Sequence, residues 1–95
     1  MISLPSGARL LPWSTSEGKP CYVVGDGTGY VSRVADNVER VQLDMVAKLL
    51  GHADDMLSDR KTTSVQFRFL ATRLAEALRD AHRIAESRGA RPPVG

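Results

Sequence analysis

Apolar positions change their spacing once along the chain, near residue 35. Before it, β-branched and aromatic residues come in short runs broken by glycine, proline and serine. After it, they recur every three or four residues until about residue 88. The first regime predicts strands and the second amphipathic helices. Three strands are expected: Ala8 to Trp13, which Pro12 confines to an edge or cuts short, then Pro20 to Val24, then Tyr30 to Val34. Ser14 to Gly18 is the first turn cluster, and Gly25-Asp26-Gly27-Thr28-Gly29 the second. Asp26-Gly27 is a hairpin-tip signal, because both central turn positions need positive φ. That tip pairs Val23 with Tyr30 and Tyr22 with Val31, and leaves open which face of the sheet is buried.

Helix one is expected over 36–58. Asp36 and Glu39 have the spacing of a capping box, and acids suit the positive end of the helix dipole. Its apolar arc runs from Val41 through Met45, Val38, Met56 and Leu49 to Val46, Leu57, Leu50 and Leu43. At about 100° per residue that arc is about 200° wide, whereas roughly 100° serves a surface helix with one partner. Helix one therefore needs cover on two sides. Asp59 to Thr62 is a polar link, and Thr63 with Gln66 forms a second capping box ahead of helix two, over 64–88. Phe67, Leu70, Ala71, Leu74, Leu78, Ala81 and Ala85 make the apolar stripe of helix two. Gly89 suits the left-handed residue that closes a helix, and 89–95, with Pro92 and Pro93, reads as a flexible tail. The fold class predicted is α+β, one domain over 1–95. A short three-stranded antiparallel β-meander (8–34) precedes a long antiparallel helical hairpin.

Chain length sharpens the need for cover. A domain of 95 residues buries only about 60–65% of its unfolded surface, so self-association adds a useful margin. Hydrophobic residues at 42% and charged residues at 25% are ordinary for a globular chain. No run approaches the ~18 apolar residues of a membrane span. The start, Met1 to Gly7, lacks the basic region of a secretory signal, and the lone Cys21 cannot form an internal disulfide. A cytoplasmic protein without a membrane partner is expected.

Charge adds more by its distribution than by its net value of +2. Residues 36–59 carry six acids against Arg40 and Lys48, −6 + 2 = −4; residues 62–91 carry six arginines against three acids, +6 − 3 = +3. Opposite signs favour pairing of the two helices, and an intramolecular pairing explains the asymmetry as well as an outside ligand does. Arg68, Arg79 and Arg83 fall within about 60° on helix two and are the candidate anion contacts. Glu76 and Glu86 lie within or beside that stripe, as on a solvated face. Val65 and Phe69, four apart, pair on the polar side of helix two. They either contact another chain or pack against the sheet or the link. With Leu43, Val46, Leu50 and Leu57 they make up the candidate interface.

Two motifs invite a chemical reading. Gly25-Asp26-Gly27-Thr28 resembles the nucleotide-phosphate loop of NAD and diacylglycerol kinases, but over four residues only and with no phosphate-binding helix following at once. A hairpin turn accounts for it, and no role is carried over. Cys21 with His52 or His82 has no spacing signal that joins them, and these residues make a poor metal site. His52 falls at the margin of the apolar arc, where a packed or half-buried histidine is expected. No catalytic residue, cofactor or metal is assigned.

The segments Leu10-Leu11-Pro12-Trp13, Gly18-Lys19-Pro20-Cys21-Tyr22 and Gly29-Tyr30-Val31-Ser32-Arg33 resemble those of small uncharacterised actinobacterial proteins. The likeness spans most of the chain and implies a bacterial cytoplasmic setting and no activity. The function expected is a non-enzymatic protein-interaction module, a homodimer with a regulatory or adaptor role and possible contacts to a second protein. The alternative is a small DNA-binding or transcription-associated protein using the arginine face of helix two. An enzyme or ligand binder ranks third, for want of a convergent polar site.

Overall fold

The computed structural model describes residues 8–25 and 29–90. They form strands β1 (Ala8–Ser14) and β2 (Pro20–Val24) and helices α1 (Tyr30–Ser58) and α2 (Ser64–Ala90). The turn cluster reverses the chain between the strands. Gly18, at φ 79°, supplies its left-handed residue, and Thr15 closes it by exchanging backbone hydrogen bonds with Gly18 and Lys19 at 2.8 Å. The strands pair antiparallel, with Ala8 opposite Val24, Arg9 opposite Val23 and Leu10 opposite Tyr22, and the register breaks between Leu10 and Ser14. Pro12 lies in that break, where no ladder bond needs its missing N–H, so β1 runs through it.

The third strand does not form. Tyr30 to Val34 are the opening turns of α1, and the sheet has two strands, not the three of a meander. Gly29, extended at φ −69° and ψ 167°, precedes the first helical residue, and its carbonyl accepts from the Arg33 amide at 3.1 Å. The reason lies in spacing. Val31, Val34, Ala35 and Val38 already follow the helical rhythm, and burial of Ser32 and Ala35 outweighs the strand preference of the valines. The pairings of Val23 with Tyr30 and Tyr22 with Val31 are thereby excluded, since Tyr30 and Val31 are helical. Asp26, Gly27 and Thr28 lie outside the described residues. Asp36 and Glu39 are likewise not a capping box, because α1 begins six residues before Asp36.

Thr63 and Gln66 do cap α2. The Thr63 amide donates to Gln66 Oε1 at 2.8 Å, and the Gln66 amide donates to Thr63 Oγ1 at 3.2 Å. At the other end, helical geometry continues through Gly89, which is not left-handed. The helices run antiparallel. Thr62 Oγ1 donates to the Met56 carbonyl at the link, and Arg88 near the end of α2 lies 3.7 Å from Glu39 near the start of α1. The β-hairpin covers only this second end. The buried apolar side chains among the described residues are Ala8, Leu10 and Leu11 on β1, and Ala35, Leu70, Ala77 and Ile84 on the helices. The result is long and thin, 51 × 30 × 24 Å. Its radius of gyration is 16.4 Å, against about 12 Å for a compact chain of this length.

Candidate interaction surface

Three groups of side chains bind β1 to both helices. Arg9 donates to the Ser32 carbonyl at 3.0 Å, to Asp36 Oδ1 at 2.7 Å and to Glu39 Oε2 at 3.1 Å. Its side chain is 10% exposed and that of Glu39 2%, so this ion pair is buried. The Leu10 carbonyl accepts from Ser87 Oγ at 3.0 Å on α2. Two residues on, the Pro12 carbonyl accepts from Gln42 Nε2 on α1 at 3.2 Å and from Arg83 on α2 at 3.1 Å. Alternate carbonyls of a strand point the same way, so side chains of both helices satisfy the edge of β1 that β2 leaves open.

Exposed apolar side chains lie further along both helices. At roughly 100° per residue, Leu43, Leu50 and Leu57, seven apart, form one stripe of α1, beyond the Val46–Ala53 seam from Gln42. Phe67, Leu74, Leu78 and Ala85 form one stripe of α2, where Phe67 and Leu78 lie about 140–180° round the helix from Arg83 and Ser87. The α2 stripe lies away from the strands, whereas the α1 stripe continues the line of Ser32 and Glu39, which Arg9 of β1 meets at the start of that helix. Leu50 is 58% exposed, Leu57 72%, Leu78 65% and Phe67 37%. Leu43, Val46 and Leu74 are half-buried beside them.

Sequence reasoning had marked Leu43, Val46, Leu50 and Leu57 but placed Phe67 and Leu78 in a covered stripe. The signal that could have separated them is the width of that stripe, since Ile84 and Ala77 hold its buried edge. Val65 and Phe69 are exposed too, with the Arg73 guanidinium 5.3 Å from the Phe69 ring centroid. Neither packs into the core.

The three candidate arginines are divided. Arg68 and Arg79 are exposed, whereas Arg83 is half-buried and holds Pro12. A cleft of about 180 Å³ between the β1–β2 turn and α2 is lined by Ser14, Pro20, Arg79, His82, Arg83 and Glu86 among others. Its charges are mixed, with His82 3.6 Å from Glu86. Cys21 is half-buried on β2, and His52 is exposed on α1, not packed at the edge of the apolar arc. Among the described residues no cluster of histidine, cysteine and carboxylate side chains is placed to hold a metal ion. No helix among them is long and apolar enough to cross a membrane. No protein-family model, curated protein or solved structure matches the chain.

Proposed function

We propose that the protein is a non-enzymatic interaction module of the bacterial cytoplasm, which acts as a homodimer in a regulatory or adaptor role. The observation that supports this reading is the apolar face of the helical hairpin. Leu50, Leu57 and Leu78 on it are each more than half exposed, and Phe67 is 37% exposed. A second copy is an occupant of matching chemistry, because a two-fold axis sets each apolar face against its own equal. In that arrangement Val65 and Phe69 stay outside the face and are available to a second protein.

Light scattering and circular dichroism test the reading. The parent chain is expected to be a helical dimer at about ten micromolar or above, and Leu50→Glu a monomer or an unfolded chain. A second variant, Leu57→Ser, sits at the open end of the hairpin and should weaken the dimer without loss of helicity. A parent chain that is monomeric and fully helical contradicts the proposal.

A further inference from the structure

Arginines that the fold covers are treated in two ways. Among the described residues Arg9 and Arg83 are the two that are not exposed. Arg9 meets two carboxylates, those of Asp36 and Glu39. Arg83 has no carboxylate within ion-pair distance among the described residues. It donates to the Pro12 carbonyl at 3.1 Å, which uses part of the guanidinium and leaves the positive charge uncompensated. A half-buried charge without a counter-charge has lost solvation and gained little in return, so an anion beside it is favoured.

The cleft between the β1–β2 turn and α2 has room for that anion. Arg79 lines it one helical turn before Arg83, about 6 Å along the axis and about 40° round it, so the two guanidiniums border the same space. Arg79 is exposed and has no ion-pair partner among the described residues. The acid in the cleft, Glu86, is three residues from Arg83 and could pair with it by spacing. It lies instead 3.6 Å from His82, and leaves both arginines unclaimed. Ser14 adds a hydroxyl from the end of β1, and Leu10 and Pro20 add apolar walls. At Gly18 the turn carries no side chain, and a Cβ placed there would meet nothing within 4 Å, so that side of the cleft stays unfilled. The volume, about 180 Å³, is several times the ~30 Å³ that one water takes in the liquid.

We infer that this cleft binds a small, doubly charged oxyanion of the phosphate type. Two guanidiniums, one fixed by β1 and one free to turn, set the charge, and their planar N–H forks suit the edges of an oxyanion. Bound there, the anion joins the β1–β2 turn to α2 and adds to the hold that Ser87 and Arg83 have on β1. The site lies apart from the exposed leucines, so it stands or falls independently of the dimer.

Inorganic phosphate is the probe, followed by nuclear magnetic resonance and thermal melting at constant ionic strength. The parent chain should bind it saturably, with resonance shifts concentrated at Ser14, Gly18, His82 and Arg83, and its melting temperature should rise as phosphate is added. Arg79→Gln should bind at least about tenfold more weakly, while its melting without phosphate stays parental. Arg68→Gln removes an equal charge from the same helix, outside the cleft, and should bind as the parent does. Glu86→Gln removes the negative charge that lines the cleft and should bind several-fold more tightly. Arg79→Gln that binds phosphate as tightly as the parent, or an equal loss in Arg68→Gln, would overturn the site. So would a response that sodium chloride reproduces at the same ionic strength, since that is screening and not binding. Duplex DNA that binds the parent and is weakened equally by Arg68→Gln and Arg79→Gln would assign these arginines to a nucleic-acid surface and overturn the inference.

Discussion

The two faces of the helical hairpin invert the usual arrangement of polar and apolar groups. On the side held by β1, charged and polar side chains are buried: Arg9, Glu39 and Ser87 are all at or below 9% exposure. Further along the helices, leucines and a phenylalanine lie in solvent. The first face is largely finished, because Arg9, Glu39 and Ser87 meet partners in the same chain, although Arg9 Nε and Gln42 Oε1 are left without a hydrogen bond. The second face is complete only against something else. A thin fold of two helices has no room for two apolar cores, so one side is locked by hydrogen bonds and ion pairs while the other keeps its apolar surface for association.

The largest effect is expected where the polar lock is broken. Glu39→Ala leaves the Arg9 guanidinium buried with only Asp36 and a carbonyl, and should cost about 3–5 kcal/mol in denaturant unfolding. Replacing both partners, as Arg9→Met with Glu39→Leu, should recover much of that loss, because the penalty belongs to the unpaired charge. Similar losses for single and double variants would mean that the pair is incidental to the lock.

Leu50→Glu attacks the other face. Burying such a side chain is worth about 1.5–3 kcal/mol, and a dimer holds two, so the dissociation constant should rise about a hundredfold or more. The contrast with Glu39 is the informative part. Loss at Glu39 is independent of protein concentration, whereas loss at Leu50 appears as concentration-dependent melting.

Ser87→Ala should have a smaller effect, about 1–3 kcal/mol, by stripping the Leu10 carbonyl of the hydroxyl that reaches it from α2. Hydrogen exchange would locate the damage in β1 and leave the amides near the link protected. Protection lost evenly over the whole chain would show that the lock is not local.

Phe69→Ser is expected to change least. The ring is 64% exposed beneath Arg73 and lies off the shared apolar face, so stability and dimer mass should both stay near parental values. A monomer from this change would move the interface to the other side of α2.

Much of this architecture was legible from spacing. Helix periodicity located the ends of α1 at Ser58 and of α2 at Ser64, and the Thr63–Gln66 box is written in four residues. Local chemistry also misled. Val31, Val34 and Tyr30 are strand formers by composition, and only tertiary burial of Ser32 and Ala35 makes their segment helical. The same shift moved Asp36 and Glu39 from an imagined helix end into the second and third turns, where β1 reaches them. Arg9 carried no signal at all, because its partners are 27 and 30 residues away. The excess width of the α1 apolar arc was readable from the residues. Its counterpart on α2 was not, since Phe67 and Leu78 share a stripe with residues that the hairpin itself buries.

Everything proposed for the exposed face turns on whether one chain meets another there. The direct measurement is the mass of the parent chain by light scattering, followed from about one to one hundred micromolar while helicity is monitored. The account predicts a rise to twice the mass of one chain, with the same helical signal throughout. A mass that stays at one chain across that range, with helicity intact, would contradict it.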